Sequence, residues 1–120
     1  MQYLLLIYGN EAELQRVYAT EGEAMMKEFE TFTQSIVASG HLRGGERLQR
    51  SDTATTVRLK DGKAVMTDGP FAETREQLGG YYVIEAKDLD EATGIAKRIP
   101  SVRVGGAIEI RPIAPTPRPG

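Results

Sequence analysis

Apolar and polar positions along the chain change period several times, and each change marks an element. Tyr3 to Tyr8 is apolar at every position and breaks at Gly9-Asn10, which predicts a central strand covered on both faces. A polar helical region starts at about Glu11 and strengthens between Glu21 and Ser39. There Met25, Phe29, Phe32 and Ile36 step by four, three and four, the spacing of one apolar stripe on a helix. Gly40 follows as its C-cap. His41 to Gln49 and Thr53 to Lys60 read as strands, and the hairpin signal Asp61-Gly62 leads into Lys63 to Thr67. Tyr81 to Ala86 is a further strand. Asp88 to Glu91 opens a second helix with acidic residues in its first turn, and Leu89, Ala92, Ala96 and Ile99 form its expected buried stripe before Pro100 ends it. Ala107 to Ile113 is the last strand.

This order predicts an α+β sandwich of the ferredoxin-like kind, with extra hairpin strands in its middle. Two helices cover one face of such a sheet, yet the first strand and the strand from Tyr81 are apolar on both faces. The second face is therefore expected to bury itself against the same face of another copy, giving a homodimer.

Composition narrows the setting. One hundred and twenty residues support one core, expected over 1–113, with a Pro-rich flexible tail over 114–120. Fifteen basic and seventeen acidic residues are spread along the chain, so neither nucleic acid nor an anionic membrane finds an electrostatic footprint. Cysteine is absent, which excludes disulfides, thiolate metal sites and thiol nucleophiles. One histidine, and no carboxylate cluster at ligand spacing, leave no metal signature, so neither metal nor cofactor is expected. The apolar N-terminal run is too short to span a bilayer and follows no basic leader, so the expected location is cytoplasmic.

The candidate chemistry concentrates in Asp68-Gly69-Pro70-Phe71-Ala72-Glu73-Thr74-Arg75-Glu76, followed by Gly79-Gly80-Tyr81-Tyr82. Asp68 before Gly-Pro is both a turn former, its carboxylate bonding backbone amides, and a ligand-binding candidate. Phe71 reads as an anchor pinning the loop to the core, with substrate stacking as the other role. Glu73, Arg75 and Glu76 have the look of a solvated turn in which Arg75 alternatively clamps an anion. Tyr81 and Tyr82 point to opposite faces, so at most one lines a cleft. Arg58 faces Asp68 across the sheet or belongs to a surface pair. Glu109 and Arg111 share a face of the last strand and either line the cleft or meet charges of a partner subunit. His41 reads as a surface residue at a helix C-terminus. The pairs Gly44-Gly45, Gly79-Gly80 and Gly105-Gly106 lead into strands rather than helices, which favours bulges or close backbone approach over phosphate cradling.

The nine-residue loop, Gly79-Gly80-Tyr81-Tyr82, Asp90-Glu91-Ala92 and Ile108-Glu109-Ile110-Arg111-Pro112-Ile113 together resemble the YCII-related family, in the branch called the DGPF domain. The resemblance implies a dimeric α+β barrel with a cleft in each subunit. In the shorter branch it also implies an acid–base pair of an Asp and a helix-borne His. Related barrel families include monooxygenases and lyases acting on small aromatic compounds, and members of this branch are often encoded beside extracytoplasmic-function sigma factors. The Asp of the pair corresponds to Asp68. Where the helix His is expected, this chain reads Met25-Met26-Lys27-Glu28-Phe29.

Two functions follow. One is a homodimer that binds a small ligand in a cleft near Asp68, with Gly69, Pro70, Phe71, Arg58, Arg75, Tyr81 and Tyr82 as candidate contacts and the sigma-factor connection that the resemblance implies. The other is a cofactor-free lyase or oxygenase-like enzyme on a small aromatic compound, with Asp68 as acid or base.

Overall fold

A computed structural model of the chain describes residues 1–116. Six strands and two helices follow in the order β1 (Gln2–Gly9), α1 (Glu11–Ala38), β2 (Leu42–Arg47), β3 (Thr55–Lys60), β4 (Lys63–Asp68), β5 (Gln77–Glu85), α2 (Leu89–Ala96) and β6 (Ala107–Pro112). Short 3₁₀ turns occupy Ser51–Thr53 and Pro100–Val104. Four strands make one antiparallel sheet in the order β2-β5-β1-β6, while β3 and β4 form a separate two-stranded ribbon. Each helix joins two strands that are not neighbours, the split crossover of a ferredoxin-like sheet. The expected fold class is the one the chain adopts, with the hairpin inserted between β2 and β5. The Pro-rich tail falls partly on residues 117–120, which lie outside the described residues.

Helix α1 begins where its sequence says it should. Asn10 takes extended backbone and its side-chain oxygen accepts the amide of Glu13 at 3.0 Å, and Glu11 and Glu13 sit in the positive first turn. The backbone leaves helical geometry at Glu21, next to Gly22, which separates the weakly patterned first half from the amphipathic second half. The predicted stripe is real: Met25, Phe32 and Ile36 are buried and Phe29 packs beside them. At the far end Gly40 adopts φ +80°, and the amides of Gly40 and His41 return to the carbonyls of Val37 and Ile36 at 3.0 Å, a Schellman closure. Gly40→Ala should therefore cost about 1 kcal/mol in a denaturant melt, because only glycine takes this φ without strain.

The core lies between one sheet face and the helices. Tyr3 and Leu5 of β1, Ile84 of β5, Phe32 and Ile36 of α1, and Ala92, Ile95, Ala96 and Ile99 make one buried cluster, with Ile7, Tyr82, Ile108 and Ile110 packed against it. The second helix differs from expectation in one respect. Leu89 is 55% exposed and Ile95 is buried instead, because Leu89 takes the first helical position, a full turn before Ala92, the helix's first buried residue.

Strand β5 also begins earlier than its apolar run predicts. It starts at Gln77, and the glycines that read as its opening lie inside it, where the register with β1 shifts between Ile7 and Tyr8. A second shift, between Leu42 and Gly44, marks β2. Both are bulges of the kind the glycine pairs suggested.

The opposite sheet face is uncovered. Leu4, Leu6 and Tyr8 of β1 alternate with the core residues and pair across the ladders with Val83, Tyr81 and Leu78 of β5. All six are only half-buried. The hairpin leaves the body altogether. Asp61 and Gly62 take φ of 52° and 78°, as the Asp-Gly signal of a type I′ turn requires, and every residue of β4 is exposed. The molecule is consequently a plate, about 50 × 49 × 19 Å.

Candidate functional site

Asp68 ends β4 directly opposite Thr55. Gly69 then turns with φ +97°, donates its amide to the Ala54 carbonyl at 2.7 Å and accepts the Thr56 hydroxyl at 2.8 Å. These two bonds fix the Asp-Gly step against the start of β3 through the backbone. The turn is thus built without the Asp68 side chain, which is exposed and has no hydrogen-bond or ion-pair partner among the described residues. A turn-forming role does not account for the carboxylate.

The loop's far end is tied to the start of α1. Asn10 donates its side-chain amide to the Arg75 carbonyl at 3.1 Å, and Gln77 accepts the Glu11 amide at 3.0 Å. Glu11 in turn accepts the Ser51 amide at 2.7 Å and its hydroxyl at 2.8 Å. Inside the loop the Thr74 hydroxyl donates to the Glu76 carbonyl and the Gln77 side chain donates to the Thr74 carbonyl at 2.6 Å. Both ends of the segment are therefore held, while Pro70 and Phe71 between them are exposed.

Several sequence expectations are corrected here. Phe71 is 76% exposed, so it does not pin the loop to the core of its own chain. Arg58 pairs with Val65, whereas Asp68 pairs with Thr55, three positions away. Alternation puts Arg58 on the opposite face of the ribbon from Asp68. The Asp68 face carries Val57, Leu59 and Met66, all exposed, with Leu59 at 77%. Arg75 contributes its carbonyl to the loop; its side chain is exposed. The Arg111 guanidinium bonds the Glu109 carboxylate within the same chain, on the open sheet face.

The two tyrosines divide as alternation requires. Tyr81 lies on the open face between Leu6 and Glu46. Tyr82 lies under α1, its hydroxyl 2.8 Å from that of Thr33 and its ring edge-on to Phe32 at 5.4 Å. This is a packing role, not a contact with the Asp68 loop. Burial raises the Tyr82 phenol above its ordinary value of 10.0, and the Thr33 hydrogen bond opposes the shift. The folded chain then holds this proton longer than the unfolded chain does. The stability contributed by the neutral ring is intact below about pH 10 and falls as pH rises beyond it. Tyr82→Phe should cost about 1 kcal/mol or less at neutral pH and flatten part of the alkaline decline, as pH-dependent urea melts would register.

His41 was legible only as a surface group. It stands between the helices, with Nδ1 2.7 Å from the Ser39 hydroxyl and Nε2 3.1 Å from a Glu91 carboxylate oxygen. That oxygen also accepts the Lys87 amide at 3.2 Å, and the Asp88 cap accepts the Glu91 amide at 2.9 Å. The arrangement joins the end of α1 to the start of α2. The Asp90-Glu91-Ala92 signature was the one sequence signal near this junction.

At the expected helix position of a histidine stand Met25, buried, Lys27, exposed, and Glu28, half-buried. No imidazole stands there to pair with Asp68.

A family model described as the YCII-related domain matches residues 1–117. The chain belongs to the YCII-related family. An uncharacterised protein of Rhizobium meliloti (strain 1021) is 35% identical over 115 residues, covering 95% of this chain and 93% of its own length. Among solved structures, 5-chloro-2-hydroxyhydroquinone dehydrochlorinase of Burkholderia phenoliruptrix AC1100, in complex with 2,5-dihydroxybenzoquinone, aligns with a TM-score of 0.51. It shares 15% identity, with 95% of this chain and 94% of that one covered. At that identity the likeness is one of fold. Among the described residues no helix is long and apolar enough to cross a membrane.

Proposed function

We propose that this member of the family is a homodimer that binds a small, ring-bearing ligand beside Asp68, in a cleft completed by the second subunit. One observation carries the reading. The chain leaves two apolar surfaces open, the sheet face of Leu4, Leu6, Tyr8, Leu78, Tyr81 and Val83 and the ribbon face of Val57, Leu59 and Met66, and Asp68 stands at the base of the second, with the exposed Phe71 three residues on. An open apolar sheet face favours burial against another protein surface, and a second copy supplies the matching face.

An exposed carboxylate does not retain a small molecule in water. Once apolar walls surround it, the same carboxylate orients a ligand through a charge-assisted hydrogen bond. Phe71 and the ribbon's Val57 and Met66 are the walls this chain offers. The fold neighbour acts on a chlorinated hydroxyhydroquinone, which makes hydroxylated aromatics and quinones the first compounds to test.

Catalysis is the second reading. No histidine shares the Asp68 site, so as an acid or base the carboxylate would act alone. The sigma-factor connection implied by the family resemblance is the regulatory form of the ligand-binding reading, and a pull-down that recovers no sigma factor would remove it.

The test is a thermal-shift series with 2,5-dihydroxybenzoquinone and related hydroxylated rings, on the wild type and on Asp68→Asn. A ligand at one hundred times its Kd stabilises by about 2.7 kcal/mol, so wild-type melting should rise by several degrees and the variant's by clearly less. Equal shifts in both proteins would remove Asp68 from the site. No shift with any ring would remove the proposed ligand class.

A further inference from the structure

A second groove lies far along α1 from the Asp68 loop. Its floor is apolar, made by the buried Phe32, Ile99 and Pro100. Its volume is about 620 Å³, within the range of small-molecule sites. Lys27 of α1 and Lys97, Arg98 and Arg103 after α2 form its rim, with Glu28 as the only acidic lining residue and Thr31 and Ser35 adding hydroxyls.

The charges on this rim do not cancel. Arg103 donates to both oxygens of Glu28 at 2.8 Å, which neutralises the charge of that carboxylate, and the pairing holds the guanidinium above its usual pKa. Lys27, Lys97 and Arg98 have no carboxylate within 4.0 Å among the described residues. Three uncompensated cations thus converge on an apolar floor in a chain whose net charge is −2.

Arg98 is also pre-oriented. Its guanidinium sits 5.4 Å from the Phe32 ring centroid and donates to the Ser35 hydroxyl. A guanidinium carries five donors in a planar fork, so this one bond leaves most of the fork available to an anion. The negative end of α2 favours cations nearby and accounts for Lys97. It does not account for Lys27, which comes from another helix, nor for Arg98 reaching across to α1.

We infer that the groove between α1 and residues 97–103 is a binding site for an amphipathic anion, an apolar ring or chain carrying a phosphate or carboxylate. The ring or chain lies on Phe32, Ile99 and Pro100, and the anionic group meets Arg98, Lys27 and Lys97. Both parts of the ligand contribute, so neither alone suffices. The site is independent of Asp68 and needs no second subunit.

Phenyl phosphate is the probe, titrated into full-length ¹⁵N-labelled protein, with phenol and inorganic phosphate as separate arms. Saturable shifts are expected at residues 27–35 and 97–103, with each half-ligand at least about ten-fold weaker. Arg98→Gln and the double variant Lys27→Gln/Lys97→Gln should each weaken phenyl phosphate about ten-fold or more while melting near the wild-type temperature. The charge-matched control Lys60→Gln/Lys63→Gln, on the hairpin, should leave affinity unchanged. Shifts confined to other residues, equal weakening by the hairpin control, or phosphate alone binding as well as phenyl phosphate would each overturn the inference. So would the absence of saturation at millimolar probe.

Discussion

Leu5→Ala is expected to lower unfolding stability by about 3 kcal/mol, within the 2–5 kcal/mol range for emptying a buried leucine site. Leu5 is fully buried at the middle of β1, paired with Tyr82 on one side and Ile110 on the other. Its neighbours come from both ladders and from α1, so the cavity cannot close by moving one side chain. The strand is central, with hydrogen bonds on both edges, which prevents the backbone from sinking into the gap. In a domain of this size the loss should appear as a fall in Tm of about 10 °C or more. A fall of only a degree or two in a thermal melt would mean that the sheet-to-helix layer is not the main core.

Leu6→Glu, one residue further, is expected to spare the subunit fold and break the assembly. Leu6 alternates to the open face, where it is half-buried and pairs with Tyr81 and Glu109. In an isolated subunit a carboxylate there stays solvated and costs little. In a face-to-face dimer the same carboxylate, and its symmetry mate, would enter the centre of the apolar contact beside Glu109. Burying two unpaired charges costs several kcal/mol each, and like charges add repulsion. Affinity should fall by at least about a thousand-fold, a loss of roughly 4 kcal/mol, while circular dichroism stays native. Size-exclusion chromatography with light scattering checks both halves: a shift to subunit mass with retained helix signal is the expected result. Unchanged mass would place the contact elsewhere.

These two adjacent residues show what the sequence carried and what it did not. A strand apolar at every position announces a central strand, and Tyr3 to Tyr8 did so; its core face is buried, while its other face is open in the single chain. The i, i+4, i+7 spacing of Met25, Phe29 and Phe32 likewise announced α1, since a helix has one apolar stripe to hide. Asp61-Gly62 announced its turn because few pairs tolerate two positive φ values. The residues of the loop announced the family.

The candidate site was less legible, because its geometry depends on register and on what is not nearby. Whether Arg58 faces Asp68 turns on a parity of three positions, which hydrophobic patterning cannot set in a strand exposed on both faces. Phe71 reads as a core anchor from its type alone, yet it stands 76% exposed in the loop after β4. The His41–Glu91 contact spans fifty residues and joins two helix ends; only the cap and first-turn acids of α2 hinted at it. The cationic groove was invisible for the same reason, since Lys27 and Arg98 are brought together by packing and by no motif.

The open sheet face is proposed as a subunit interface, with Asp68 at work within the assembly it creates. Sedimentation equilibrium of the wild-type chain at micromolar concentration tests it most directly. A species of twice the 13.2 kDa subunit mass, stable on dilution through the micromolar range, is the expected result. A species of 13.2 kDa throughout that range would contradict it.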